Sequence, residues 1–106
     1  NLTHGPAVEL AERLHRLLPG SPQRLFFSDN GTTAVETALK IALQYWYNSD
    51  ARTKRRRIVA FHHGFCGESF GAMAVSDRGL FSRPFASHLF PVDFIDPPRE
   101  GREELS

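Results

Sequence analysis

Apolar residues recur at steps of three and four along two stretches of the chain, and this spacing predicts two amphipathic helices. The first stretch covers residues 6–18, and the pair Pro19-Gly20 ends it. The second covers residues 33–47 and opens with Thr33 and Glu36 at the spacing of a capping box. Because one side of each helix is apolar, both helices are expected to pack against another layer.

Short apolar runs predict buried strands at residues 24–28, between the two helices, and at residues 58–61, after the second helix, with a weaker strand at 89–95. Residues 68–75 favour a short helix, and residues 76–87 an irregular segment. Helices and strands therefore alternate along the chain. This order is typical of an α/β fold, in which helices cover a parallel sheet.

Composition narrows the class of protein. The 106 residues carry 13 Lys and Arg against 12 Asp and Glu, and this near balance argues against a general nucleic-acid binder. No apolar run reaches the length of a membrane span, and the single Cys66 excludes an internal disulfide framework. Two or three parallel strands would leave bare sheet edges. Because the chain also starts at Asn1 rather than Met, we expect it to be a piece of a longer protein.

The first candidate site is the turn at residues 29–31 with the helix start that follows it. Asn and Gly tolerate positive φ, and the free amides of a helix N-terminus attract phosphate. Gly31 would let a phosphate approach the backbone, and Thr32 or Thr33 would add a hydroxyl. The alternative is a plain turn capped by Thr33 with nothing bound. Neither a Walker lysine nor a G-x-G-x-x-G motif is present.

The second candidate is Phe65, which lies between Gly64 and Gly67 just after the predicted strand 58–61. The carboxyl ends of parallel strands share one sheet edge, so this segment is expected near Gly31. An aromatic ring on a glycine-bounded loop can stack on a flat ligand. The alternative is that Phe65 simply fills the core.

Other candidates are weaker. His62, His63 and Cys66 match no zinc spacing, so no metal site is predicted. A Cys66 nucleophile with His63 as its base lacks a group that would orient the base. The basic run 52–57 could contact phosphates of nucleic acid, but no aromatic residues interleave with it, and a solvated loop is favoured.

Residues 27–40 resemble the phosphate-binding segment of the class III pyridoxal-phosphate aminotransferases, and residues 61–73 resemble the segment that carries the family's ring-stacking aromatic residue. A narrower similarity, to the members that act in biotin synthesis, is carried by residues 3–7, 42–46, 70–77 and 89–95.

The resemblance implies that residues 1–106 are the early portion of a fold-type-I large domain that binds pyridoxal 5'-phosphate. It assigns the cofactor phosphate to Gly31 and Thr32, the cofactor ring to Phe65, and substrate contacts to Phe65 and Glu68. The family usually has tyrosine at position 65, histidine at 66 and often aspartate at 68, so this chain lacks a phenol hydroxyl that reaches the substrate.

The resemblance also implies that no catalytic residue lies in this chain, because the family's Schiff-base lysine and its pyridine-pairing aspartate come later. Lys40 and Lys54 match neither position, so the chain alone is expected to be inactive. The implied longer enzyme is a cytoplasmic homodimer that passes the amine of S-adenosylmethionine to 8-amino-7-oxononanoate, giving 7,8-diaminononanoate. Three alternatives stay open: a class III enzyme acting on ornithine, acetylornithine or 4-aminobutyrate, a small phosphate- or nucleic-acid-binding module, and a non-catalytic interaction fragment.

Overall fold

A computed structural model describes residues 4–20 and 24–99. Its elements are α1 (Gly5–Leu17), α2 (Gly31–Ser49), β1 (Val59–Phe61), α3 (Phe70–Ala74), a 3₁₀ helix (Arg83–His88) and β2 (Asp93–Ile95). The two predicted long helices and the predicted short helix are confirmed. The two later strands are also confirmed, although both are shorter than the apolar runs that predicted them. Thr3 of the 3–7 similarity lies outside the described residues.

The two strands form a parallel pair, as the alternating order of helices and strands predicts. Val59 pairs with Asp93 and Phe61 with Ile95. The pairing continues past β1, where the His62 N–H donates to the Ile95 carbonyl at 2.9 Å. Parallel strands need a crossover, and here α3 and the 3₁₀ helix supply it. The sheet therefore fixes where the residues after β1 leave its carboxyl end.

The predicted strand at residues 24–28 is wrong. Residues 24–28 form no regular element, and the side chains of Leu25, Phe26 and Phe27 are exposed. A strand exists only as part of a hydrogen-bonded ladder, and no described residue pairs with this run. Apolar content alone gave the prediction, and it cannot supply the neighbouring strand.

Burial is concentrated in one small region. The buried residues of the described ranges are Gly67, Ala72, Ala74, Val75, Ser76 and Ser82. The apolar sides of α1 and α2 contain no buried residue, and Val59 and Phe61 of β1 are exposed, so the prediction of a buried strand 58–61 is wrong. No described layer covers these faces. The ordered core instead lies around α3, directly behind the candidate site.

The basic run 52–57 forms the predicted loop between α2 and β1. The Arg55 guanidinium lies 4.2 Å from the centre of the Trp46 ring, and Arg57 Nε donates to Asp93 Oδ2 at 2.9 Å. These contacts tie the loop to α2 and to the start of β2. Within residues 4–20 and 24–99, no helix is both long and apolar enough to cross a membrane.

Candidate functional site

Asn30 caps the N-terminus of α2. Its Oδ1 accepts from the Thr33 N–H at 2.9 Å, and Thr33 Oγ1 accepts from the Asn30 N–H at 3.3 Å. This reciprocal pair is the capping box, so the predicted box of Thr33 with Glu36 is wrong by one turn. The positive φ expected in the turn is also wrong, since Asn30 is extended at φ −161° and Gly31 is already helical.

The cap leaves donors at the start of α2. The N–H groups of Gly31 and Thr32 donate to no residue of the described ranges. A Cβ built on Gly31 meets no atom within 4 Å, so a ligand can approach this backbone. The positive end of the dipole of a 19-residue helix lies here as well. Open amides, space and dipole together fit a phosphate group.

The loop that carries Phe65 packs against this helix start. We call residues 62–68 the aromatic loop. Gly67 is buried and has φ +139°, and a Cβ on it would lie 2.7 Å from Cγ2 and 2.9 Å from Cβ of Thr32. Only a glycine allows this approach. The predicted proximity of the two candidate segments is therefore confirmed, although a shared sheet edge does not produce it, because residues 24–28 form no strand.

Phe65 lies at the exposed tip of the aromatic loop, with 77% of its surface accessible. The loop is held on both sides of the ring. The Asp77 N–H donates to the Gly64 carbonyl at 2.8 Å, and the Cys66 N–H donates to Ser76 Oγ at 2.8 Å. Phe65 does not fill the core of the described residues, so its ring is available to stack on a ligand.

The two histidines of the loop face Asp77. The His63 N–H donates to Asp77 Oδ2 at 3.0 Å, and the Nδ1 atoms of His62 and His63 lie 3.8 and 3.4 Å from that carboxylate. The His63 amide, more than the two imidazoles, holds the pKa of Asp77 below its usual value. In the described part of the chain, no three His, Cys, Asp or Glu side chains are grouped to hold a metal ion.

The Cys66 thiol is not joined to a base. Its Sγ lies 4.0 Å from the Val75 carbonyl, and among described residues no hydrogen bond links it to His63. A Cys–His pair therefore does not form, and the nucleophile hypothesis loses its geometric basis.

Glu36 connects α2 to α3 instead of capping its own helix. Its Oε1 accepts from Ser69 Oγ and, at 2.8 Å, from the Ala72 N–H. A Cβ on Gly71 would lie 2.6 Å from the same oxygen, so a glycine is needed there. The Ser69 hydroxyl is the main cause that lowers the pKa of Glu36. This contact fixes the N-terminal end of α3, which directly follows the aromatic loop.

Glu68 and Phe65 both line a cavity of about 540 Å³ next to the aromatic loop. Its remaining lining is mostly aromatic or small: Gly67, Phe70, Met73, Ser76, Asp77, Gly79, Phe81, Ser82 and Phe85. Gly31 and Thr32 do not line it, so the residues predicted to contact the phosphate lie beside this cavity and not in it. Lys40 lies elsewhere, in a groove beside the basic loop, about 12 Å along α2 from Thr32.

Three polar residues of this site were not predicted from the sequence: Ser69, Ser76 and Asp77. Each acts on a residue far along the chain, since Ser69 meets Glu36 across 33 positions and Asp77 meets His63 across 14. The available signal was a Ser-Asp pair directly after the apolar run at residues 72–75. That signal indicates the end of a helix but does not indicate which residues Ser76 and Asp77 contact.

Comparison with known proteins identifies the family of the chain. The family model for class III aminotransferases matches residues 1–105. The adenosylmethionine-8-amino-7-oxononanoate aminotransferase of Synechococcus elongatus is 52% identical over 91% of this chain and 22% of its own length. A protein of Mycobacterium tuberculosis named as a probable aminotransferase is 41% identical over 87% of this chain and 19% of its own length. The chain thus spans about a fifth of the length of these relatives.

A solved structure shares the fold. The crystal structure of adenosylmethionine-8-amino-7-oxononanoate aminotransferase from Methanocaldococcus jannaschii superposes with a TM-score of 0.78 at 32% identity. The match covers 93% of this chain and 22% of that chain. The predicted α/β fold, as part of an aminotransferase fold, is confirmed. The family match over nearly every residue and these relatives show that the chain belongs to the class III aminotransferases.

Proposed function

We propose that residues 1–106 are the early part of the large domain of a pyridoxal-phosphate-dependent aminotransferase of biotin synthesis. The longer enzyme would move an amine from S-adenosylmethionine to 8-amino-7-oxononanoate and yield 7,8-diaminononanoate. Relatives named for this reaction, at up to 52% identity, support the choice of substrates. The observation that carries the proposal is the approach of Gly67 to Thr32, which sets the open amides of α2 beside the aromatic loop.

The residues of this chain bind and orient the cofactor in the proposal. The Gly31 and Thr32 N–H groups and the Thr32 hydroxyl bind the phosphate, and Phe65 covers the ring. When bound, pyridoxal phosphate supplies the aldehyde carbon that accepts and returns the amine. Glu68, on the adjoining cavity, offers its carboxylate to a substrate amine. The lysine that binds the cofactor covalently is proposed to lie outside this chain, as are the remaining parts of a cytoplasmic homodimer.

The second candidate is a class III aminotransferase with other substrates, such as ornithine, acetylornithine or 4-aminobutyrate. The Mycobacterium tuberculosis relative, named only as a probable aminotransferase, favours this broader assignment of substrates. A small phosphate- or nucleic-acid-binding module is disfavoured, because the family model matches 105 of the 106 residues.

Replacing Thr32 by valine in the full-length protein tests the phosphate site. The valine keeps the shape of the side chain and removes one hydroxyl donor, so we expect the Kd for pyridoxal phosphate to rise about tenfold. Thr37→Val is the matched control, because the Thr37 hydroxyl donates to the Thr33 carbonyl within α2. Equal Kd values for the wild type and Thr32→Val would contradict this site. Amine transfer assayed with each donor and acceptor named above separates the two substrate assignments.

Substitutions at Phe65 test the ring contact. Phe65→Ala removes a stacking surface worth about 1 kcal/mol, so the Kd for pyridoxal phosphate should rise about fivefold. Phe65→Tyr keeps the ring, and its hydroxyl is easily placed because the side chain is 77% exposed. We expect the Kd of the tyrosine variant to stay within about twofold of wild type. Titration followed by absorbance of the bound cofactor measures both, and a loss with tyrosine equal to that with alanine would refute the stacking role.

A further inference from the structure

We propose that Asp77 is a positioning residue of this enzyme, which holds the aromatic loop in the shape that presents Phe65 to the cofactor. This inference rests on the proposed function and deepens it. Asp77 follows α3 in the chain and lies 14 positions after His63, so it joins two segments that the crossover brings together.

Asp77 grips the aromatic loop with both its backbone and its side chain. The backbone N–H donates to the Gly64 carbonyl at 2.8 Å, and Oδ2 accepts from the His63 N–H at 3.0 Å. The two imidazoles lie 3.8 and 3.4 Å from its carboxylate oxygens. One residue therefore fixes the two positions that precede Phe65, where a small rotation would displace the ring.

His63 has a backbone that needs such support. Its φ of 64° makes it the only residue other than glycine with positive φ in the described ranges. A non-glycine residue in this region costs free energy and persists only where surrounding contacts hold it. The hydrogen bond from the strained residue's own amide to Asp77 is the direct contact that does so. The strain and its support both lie two residues before Phe65.

The far side of the loop has an independent anchor. The Cys66 N–H donates to Ser76 Oγ, and that hydroxyl donates to the Ala72 carbonyl at 2.8 Å inside the small core. Because this anchor stays when Asp77 is changed, loss of the carboxylate should release the His63 side of the loop without unfolding it. The effect of Asp77 on the cofactor should then pass through Phe65.

A double-mutant cycle in the full-length protein tests this coupling. Asp77→Ala and Phe65→Ala should each raise the Kd for pyridoxal phosphate about fivefold. The Kd of the double variant should not exceed the higher of the two single-variant values. Asp77→Asn keeps an oxygen for the His63 N–H and should stay within about twofold of wild type. His63→Gly should restore affinity in the Asp77→Ala background, because glycine adopts positive φ without support. Asp96→Ala, at an exposed carboxylate, is the control.

Amide hydrogen exchange of the cofactor-free protein gives a second readout. The His63 amide should exchange about tenfold faster in Asp77→Ala than in wild type, while the Cys66 amide keeps its protection. If wild type binds no pyridoxal phosphate, the proposed function fails, and the exchange rates still decide whether Asp77 holds the loop. Additive effects of Asp77→Ala and Phe65→Ala, or unchanged exchange at His63, would overturn the inference while leaving the proposed function intact.

Discussion

Alanine in place of Gly67 is expected to lower the affinity of the full-length protein for pyridoxal phosphate about a hundredfold, from a cost of about 3 kcal/mol. Two effects act at this one position. Gly67 has φ +139°, a conformation that other residues rarely adopt, and the added Cβ would lie within 3 Å of Thr32. Both would push the aromatic loop away from the helix start that we propose as the phosphate site.

Rotation of the Thr32 side chain cannot relieve this clash. Turning χ1 would move Oγ1 and Cγ2, but the Cβ of Thr32 also lies 2.9 Å from the added atom and is fixed to the α2 backbone. The loop or the helix must therefore shift. The proposed phosphate site and the proposed stacking ring would then no longer match the spacing of one cofactor molecule.

Gly5→Ala, at the first residue of α1, provides the matched control for this prediction. A Cβ on Gly5 meets nothing within 4 Å, and its φ is not positive, so the same chemical change should leave the Kd within about twofold of wild type. Isothermal titration and thermal unfolding of both variants supply the measurement. A Gly67→Ala protein that binds like Gly5→Ala would show that the loop and helix start need not touch.

Local rules predicted the helices of this chain well and its strands less well. The spacing of apolar residues gave α1 and α2 to within two residues at every end, because helix hydrogen bonds are local. Residues 24–28 had the composition of a strand, but a strand needs a partner that the described chain does not offer. The predictions of burial were wrong for the same reason, since no described layer covers the apolar faces of the two helices.

In the candidate site, too, local features could be predicted from the sequence and long-range contacts could not. Local patterns in the sequence made Gly31 and Phe65 candidates and left either Thr32 or Thr33 as the hydroxyl donor. The assignment of Gly31 and Thr32 to the phosphate and of Phe65 to the ring came from the resemblance to the class III aminotransferases. The contact between Thr32 and Gly67 could only be expected as a shared sheet edge. The partner of Glu36 could not be predicted from the sequence. The spacing of Glu36 to Thr33 suggested a capping box, but Asn30 caps the helix and the Glu36 carboxylate contacts α3 instead.

Glu36→Ala is expected to destabilise the full-length protein by about 2–3 kcal/mol, the second large effect. The carboxylate accepts from Ser69 Oγ and from the Ala72 N–H, and Ala72 is fully buried. Removing the acceptor leaves a buried donor without a partner, which costs more than the loss of an exposed contact. The α3 end should loosen, and the anchor that Ala72 gives to Ser76 and the aromatic loop should loosen with it.

The pH dependence of stability separates this contact from simple packing. The pKa of Glu36 is lowered in the folded protein, chiefly by the Ser69 hydroxyl, so its contribution is complete above the ordinary value of 4.5 and is lost as the pH falls through the folded pKa. Glu36→Gln keeps an accepting oxygen but cannot titrate. Its stability should therefore lie between wild type and Glu36→Ala and lack this acid-dependent component. Glu12→Gln, on the exposed side of α1, should keep the full acid dependence of wild type. Urea unfolding at several pH values between 3 and 7 gives the free energy of unfolding of all four proteins. A titrating contact makes the stability of wild type fall at acid pH relative to that of Glu36→Gln. If the two plots of stability against pH were parallel, Glu36 would not have this role.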